Sequence, residues 1–345
     1  MKFGWRGGLG LVLSAVALYF AFRGIEFGTL ASSVRHASLP LLVLSVVVAT
    51  LTFPLRALRW RPILDPIAPR LPFAPLFSAT VIGMMVNNVV PVRAGEVARA
   101  YALSRSTPAV SFPSAFASLA VDRVFDVIVL FGLMFLAMLD PGFPQGAMLR
   151  GRPVSAYALS GILLVVGLLV AMYAVVLLPA RVLALYEVVA RRIAPKLEER
   201  GRVAVTSIIG GLSVLRSPRR FAAVLLWTVA HWLCNALGFW FGFKAFGIAV
   251  PFAAALFLQG MIAIAVALPQ APGFFGVFEL VGQVGLGLYG ISADTAVAWA
   301  ITYHTLTYIP ITVMGAWYFL RAGMSMGDLG SADRAATAQP GPARE

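Results

Sequence analysis

The sequence predicts an all-α polytopic membrane protein, with six spanning helices plus two re-entrant helical hairpins arranged as an inverted-topology repeat. Three observations predict it. Hydrophobic residues make up 60% of the 345-residue chain and charged residues 12%, with a mean hydropathy of +0.88, whereas a soluble domain carries about 25% charged residues. Two apolar stretches are each interrupted by proline, glycine and a carboxylate. One holds Asn87, Asn88, Pro91, Arg93, Gly95 and Glu96, and the other holds Pro269, Gln270, Pro272, Gly273, Gly276 and Glu279. The basic residues collect in alternate connections between apolar runs, so the strongly basic connections share one side of a membrane.

Taken in order, Lys2 and Arg6 ahead of an apolar run imitate a secretory leader, but Ala21-Phe22-Arg23 offers no small-x-small cleavage site, so the run is read as a retained first span. Sixteen uncharged residues separate Arg6 from Arg23, short for a crossing of about 20, and arginines at both ends reach the interfaces by snorkelling. A loop with Glu26, Arg35 and His36 leads to a second span over 39–55. Arg56, Arg59, Trp60 and Arg61 follow it and are read as a basic cytoplasmic loop.

Residues 76–112 are predicted as a hairpin that enters from the cytoplasm, breaks at Pro91 to Gly95 and returns. Proline removes a backbone donor and glycine admits angles other residues avoid, so a helix should end there. The third span, 114–139, carries Asp122, Arg123 and Asp126, and the fourth covers 156–178. Residues 181–220 hold nine Lys/Arg against three Glu with leucines and valines between them, the pattern of a helix lying on an anionic leaflet.

After a fifth span at 221–243, no formal charge appears from 245 to 278, but Pro269, Pro272 and Gly273 divide that run. A second hairpin, 252–290, is therefore expected from the opposite side, followed by a sixth span at 295–320. Residues 321–345 are small and polar and read as a disordered cytoplasmic tail. Residues 1–140 then form one repeat and 141–320 an upside-down counterpart, with both termini cytoplasmic. The formal charge of +13 is spent on topology and lipid headgroups, and no nucleic-acid partner is expected.

A helix broken at membrane depth bares carbonyl and N–H groups, which are tolerable there only inside protein or beside water. Two such breaks, similarly placed in two halves, point to a transporter's binding site. Ionisable groups inside spans are expensive and are functional candidates by default. The substrate-binding set is therefore Arg93, Glu96, Arg99, Asp122, Arg123, Asp126 and Glu279, with Asn87, Asn88 and Gln270 as uncharged partners. Pro91, Gly95, Pro269, Pro272, Gly273 and Gly276 are the break residues.

Arg93 and Arg99 suit phosphate, since guanidinium is a forked, permanent cation and the helix after Gly95 opens with free N–H groups. The carboxylates suit a cationic headgroup or a proton. Asp122 and Asp126 share one helix face, where pairing with arginines is the competing structural role. His304, with Tyr303, is a candidate proton relay. Cys234 is the sole cysteine, so no intrachain disulfide forms. The three histidines lack metal-ligand spacing, and no metal, cofactor or ATP motif is expected.

The Asn87-x-x-x-Pro91-x-Arg93-x-Gly95-Glu96-x-x-Arg99 segment, the Asp122-Arg123-x-x-Asp126 helix and the Pro269-x-x-Pro272-Gly273-x-x-Gly276-x-x-Glu279 segment together resemble the lysylphosphatidylglycerol synthase transmembrane-region family. These are flippase-like domain proteins, the membrane half of the multiple peptide resistance factor. The resemblance covers about 9–320, and Asp122 departs from it where glutamate is expected. It implies a lipid flippase of the bacterial inner membrane that moves aminoacylated phosphatidylglycerol or a related phosphate-bearing lipid between leaflets. With 25 residues after the last span, the soluble synthase domain is not expected. Membrane phospholipids are the expected partners, with a separate lipid-modifying synthase beside them. A lipid-modifying transferase and an accessory scaffold remain the rival readings.

Overall fold

The computed structural model describes residues 5–90, 94–146, 148–149, 151–154, 156–193, 202, 205–206, 216–267, 272–325 and 327. The described chain is almost wholly helical. In order come α1 (Trp5–Phe22), α2 (Phe27–His36), α3 (Leu39–Leu64), α4 (Phe73–Val89), α5 (Gly95–Ser106), α6 (Phe112–Ala137), α7 (Ala156–Leu177), α8 (Pro179–Ile193), α9 (Pro218–Ala245), α10 (Phe252–Ala265), α11 (Val277–Gly287) and α12 (Ala293–Arg321). A two-stranded antiparallel ladder, β1 (Met148–Leu149) with β2 (Arg152–Pro153), sits between α6 and α7.

Among the described residues, three helices are long and apolar enough to cross a membrane, Leu39–Leu64, Leu159–Leu177 and Pro218–Ala245, and α1 with α2 makes a fourth if that pair, bent by 86°, is one span. This is an all-α membrane protein. α6 has the length, but Asp122, Arg123 and Asp126 fall within any stretch of it long enough to cross. Exposed Leu, Val and Ile side chains along α3 and α7 have no water-facing rationale and suit lipid.

Two sequence expectations change. α3 does not end at residue 55. It continues to Leu64 through Pro54 and Pro62, so Arg56 and Arg59 lie inside a helix rather than in a basic loop. Its packing along α9 outweighs the local cost of the prolines, as tertiary context often does. The 23–38 loop contains α2, whose ends are tied by Glu26 N–H to Asp294 Oδ1 at 3.1 Å and Ser38 N–H to the Ala245 carbonyl at 2.8 Å. The basic segment opens as α8, directly after α7, while most of 194–215 and of the tail lies outside the described residues. Serines start three of the long helices: Ser111, Ser217 and Ser292 each accept from the N–H three residues on, replacing a helix partner that does not exist there.

Both interrupted stretches form helix–break–helix units, α4–α5 and α10–α11. The packing partners come in matched sets: α3 on α9, α4 on α12 as α10 on α6, α5 on α6 as α11 on α12, and α9 on α6 as α3 on α12. Close crossings use small residues. Ser45 Oγ donates to the Gly238 carbonyl at 2.7 Å where α3 meets α9, and Gly260 faces Met134 where α10 meets α6.

Candidate functional site

The first hairpin turns tightly enough for α4 and α5 to touch. A Cβ on Gly83 would lie 2.7 Å from Arg99 Cβ, and Gly95 is backed by Asn87, whose Oδ1 accepts the Gly95 N–H at 2.8 Å. That bond satisfies a donor at the start of α5 that has no intrahelical partner. The break also brings Glu96 and Arg99 against α6, in direct contact with Arg123 and Asp122.

These charges form one network that α3 completes. Arg59, wholly buried, forks onto both aspartates, reaching Asp122 at 2.6 Å and gripping Asp126 through both terminal nitrogens. Arg99 Nη1 donates to Asp122 Oδ2 at 3.1 Å, Arg56 stands 3.6 Å from Asp126, and Arg123 links Asp126 at 3.4 Å to Glu96. Trp232 of α9 donates its indole N–H to Asp126 Oδ1 at 3.0 Å. The Arg99 guanidinium lies 4.0 Å over the Trp60 ring, and Trp60 is fixed by its own N–H to Ser118 Oγ at 2.8 Å.

Among the described residues, four arginines thus meet three carboxylates, leaving one positive charge in excess. Arg99 also keeps Nε and Nη2 without a hydrogen-bond partner, though the residue is only 5% exposed. Unmet buried donors are costly, and in a cationic setting they call for an anion.

A cavity of about 400 Å³ opens beside this network. Arg56, Arg99, Arg123, Glu96 and Asp126 line one side, with Asn87, Asn88 and Gly95 of the first hairpin. Trp232 of α9, Ala263 and Val266 from α10 and its cap, and Phe274 of the second break close the other. Both helix breaks therefore border one chamber. Asn88 is held by Nδ2 to Thr312 Oγ1 at 2.9 Å and by its carbonyl to the Tyr308 hydroxyl at 3.2 Å.

The second break is built differently. Gly273, Phe274 and Gly276 all take positive φ, 71°, 62° and 91°. For Phe274 that conformation costs on the order of 1–2 kcal/mol. Gly276 presses on the Ser14 carbonyl and Leu18 of α1, leaving no room for a Cβ. Glu279 then caps its own helix, Oε2 accepting the Gly276 N–H at 2.6 Å, while Oε1 meets His304 Nδ1 at 2.8 Å. His304 is sandwiched by Phe275 and Phe278, 4.5 and 4.4 Å between centroids.

Of the residues singled out from sequence, Asn87, Asn88, Glu96, Arg99, Arg123 and Asp126 line the chamber, with Gly95 at its edge. Asp122 lies behind them, paired to Arg59 and Arg99. Glu279, expected in the substrate-binding set, and His304, expected as a proton relay, do not line it: the two Glu279 oxygens are turned to a backbone N–H and a histidine, and the residue is wholly buried. Tyr303 points elsewhere, its ring 5.6 Å from Trp299 and stacked on Phe278. Pro272, Gly273 and Gly276 form the second break, whereas Pro91, Arg93, Pro269 and Gln270 lie outside the described residues. Arg56 and Arg59, read from sequence only as topology signals, and Trp232 join the site. Their signal was the i,i+3 spacing of two arginines beside a tryptophan, which the positive-inside reading absorbed.

Comparison with known proteins fits this architecture. The family described as "Lysylphosphatidylglycerol synthase TM region" matches residues 8–315. The chain is 27% identical over 326 residues to a UPF0104 membrane protein of Methanothermobacter thermautotrophicus, covering 90% of this chain and 94% of that one. It is 22% identical over 340 residues to a UPF0104 membrane protein of Pyrococcus horikoshii, with 91% and 95% covered. A shorter similarity, 36% over 124 residues, relates 36% of this chain to Glycosyltransferase AglD of Haloferax volcanii and spans only 20% of that protein.

Proposed function

The chain belongs to the lysylphosphatidylglycerol synthase transmembrane-region family, and from that premise we propose that it moves a phosphate-bearing lipid between membrane leaflets. The headgroup enters the chamber between the two hairpin breaks, its phosphate facing Arg56, Arg99 and Arg123, while the acyl chains stay in the bilayer. Arginine suits this role because it offers several donors on a charge that never titrates away. The observation that carries the reading is Arg99, whose Nε and Nη2 have no partner among the described residues, beside a chamber whose described lining is one charge positive.

Six spans, α1, α3, α6, α7, α9 and α12, with α4–α5 and α10–α11 entering from opposite sides, fit this function. The matched packing sets support an inverted repeat, whose two halves rock about a fixed central site. On this reading the protein sits in the cytoplasmic membrane of a bacterium with both termini inside, and it transports rather than modifies its lipid. Aminoacylated phosphatidylglycerol is a fitting cargo, since Glu96 beside Arg123 offers a carboxylate to an amino group, and a separate synthase would supply it.

The test is leaflet-resolved translocation in proteoliposomes, with a headgroup-labelled phospholipid and a leaflet-selective quencher. The wild type should equilibrate the leaflets. Arg99→Ala should slow that about tenfold or more, as expected if charge-assisted bonds of ~1.5–3 kcal/mol are lost. A rate equal to protein-free vesicles, or an unaffected Arg99→Ala variant, overturns the reading. The similarity to part of a protein named as a glycosyltransferase favours one alternative, membrane support for a lipid-modifying enzyme. Mass spectrometry showing the reporter lipid chemically altered would favour it.

A further inference from the structure

Glu279 and His304 are a buried acid and base that the anion site does not use. Their arrangement repeats that of Glu96 and Arg123 in the other half. Each glutamate stands in the first turn of the helix after a break, and Arg123 and His304 are each the twelfth residue of the following long helix. The partner differs in one chemical respect. Arginine keeps its charge throughout the physiological range, while histidine gains and loses a proton within it.

We propose that the Glu279–His304 pair is a proton-binding latch that holds the second break closed and releases it when the pair takes up an extra proton. The proposal gives that break a coupling ion. It rests on the lipid-translocation reading for its purpose, though not for its readout.

In the closed form the carboxylate accepts from two donors, the Gly276 N–H at 2.6 Å and His304 Nδ1 at 2.8 Å. The proton shared with His304 leaves both bonds intact. A further proton landing on a carboxylate oxygen removes acceptor capacity at that oxygen. The bond made by that oxygen is then weakened, loosening either the cap on α11 or the tie to α12. The segment that would respond already holds three residues at positive φ and is pressed on α1 through Gly276.

The proton has a short way to travel. Phe274 lines the chamber, and Phe275, next in the chain, stacks on His304. Tyr308, 5.5 Å from Phe275, donates to the carbonyl of Asn88, which also lines the chamber. Aromatic rings thus connect the pair to residues that line the chamber.

Among the described residues, the titratable groups facing it are few. α12 supplies Tyr303 and Tyr308, and α9 supplies Cys234, which interacts electrostatically with Tyr303. From α1 come Ser14 and Leu18, and from α4 comes Asn88, none of them charged.

Spin labels at Gly287→Cys on the open face of α11 and Val313→Cys on the exposed face of α12, in a Cys234→Ala background in nanodiscs, read the movement directly. Distance distributions are recorded between about pH 5 and about pH 8. A second distance, differing by about 5 Å, one helical turn, should grow as pH falls. Glu279→Gln, which cannot ionise, should show it at every pH, and Tyr303→Phe should keep the wild-type response. A distribution that does not change with pH in the labelled protein overturns the proposal, as does a pH response that survives in Glu279→Gln. Should Glu279→Gln fail to fold, the pH series on the labelled wild type still decides. Translocation measured on the same sample separates the two readings: distances that titrate without lipid movement sink the transport reading and leave the latch standing.

Discussion

At the first hairpin break the glutamate meets an arginine that is 46% exposed, at the chamber wall. At the second, the glutamate is wholly buried with a histidine between two phenylalanines. The difference continues along the following helices. Asp122 and Asp126 are the eleventh and fifteenth residues of α6, and Tyr303 and Thr307 hold those places in α12. The aspartates draw in Arg56, Arg59 and Arg99, whereas Tyr303 packs on Phe239, Phe278 and Trp299. Similar helix–break–helix units thus carry a chamber-facing, cationic seat on one side and a buried aromatic one on the other. Matched packing of the two units does not require them to share chemistry, and among the described residues the buried arginine network stands at the first break.

The comparison breaks most easily at Arg59. Arg59→Met leaves two aspartates without their central cation, and stability should fall by about 3–5 kcal/mol, read as a lower unfolding midpoint in nanodiscs. An unchanged midpoint would mean that the network does not hold α3 to α6. At the second break the backbone rather than charge should dominate. Gly276→Ala should cost about 1–3 kcal/mol, since its φ is 91° and a Cβ would strike α1, while Gly287→Ala, with nothing within 4 Å, should be neutral or slightly stabilising by thermal shift.

Ser118→Ala sharpens the contrast by removing the acceptor for the buried Trp60 indole, for a loss of about 1–2 kcal/mol. Translocation should be slowed less than by Arg99→Ala, because the ring under Arg99 remains. Within the charge network the smallest effect on stability belongs to Arg123→Ala, under about 1 kcal/mol, because solvent screens a half-exposed pair. Its translocation rate should nevertheless drop, which would separate a chamber residue from a structural one.

Much of this frame was legible in the sequence because it is written in local chemistry. Pro91 with Gly95, and Pro272 with Gly273 and Gly276, cannot sit in a continuous helix, and the charges on α6 are too costly in a span to be incidental. Arg59 was not legible. A cation soon after an apolar run looks like a loop, and only the packing of α3 against α6, more than sixty residues later in the chain, turns it into the centre of the network. Glu279 misled for a related reason. Its carboxylate was read as facing the chamber, but a helix start three residues earlier offers it a free N–H, and the aromatic sequence Phe274-Phe275 screens it from the wet side. Side-chain direction at a break depends on φ values between 62° and 91°, which composition does not encode.

Native mass spectrometry of the purified protein tests the central claim most directly. Exposed to an equal mixture of a phospholipid and a diacylglycerol with the same acyl chains, the wild type should retain the phospholipid preferentially, by about tenfold if the Arg99 donors bind its phosphate. Arg99→Ala should lose that preference without losing its fold. Equal retention of the two lipids by the wild type, or an undiminished preference in Arg99→Ala, would contradict an anion seat between the hairpins.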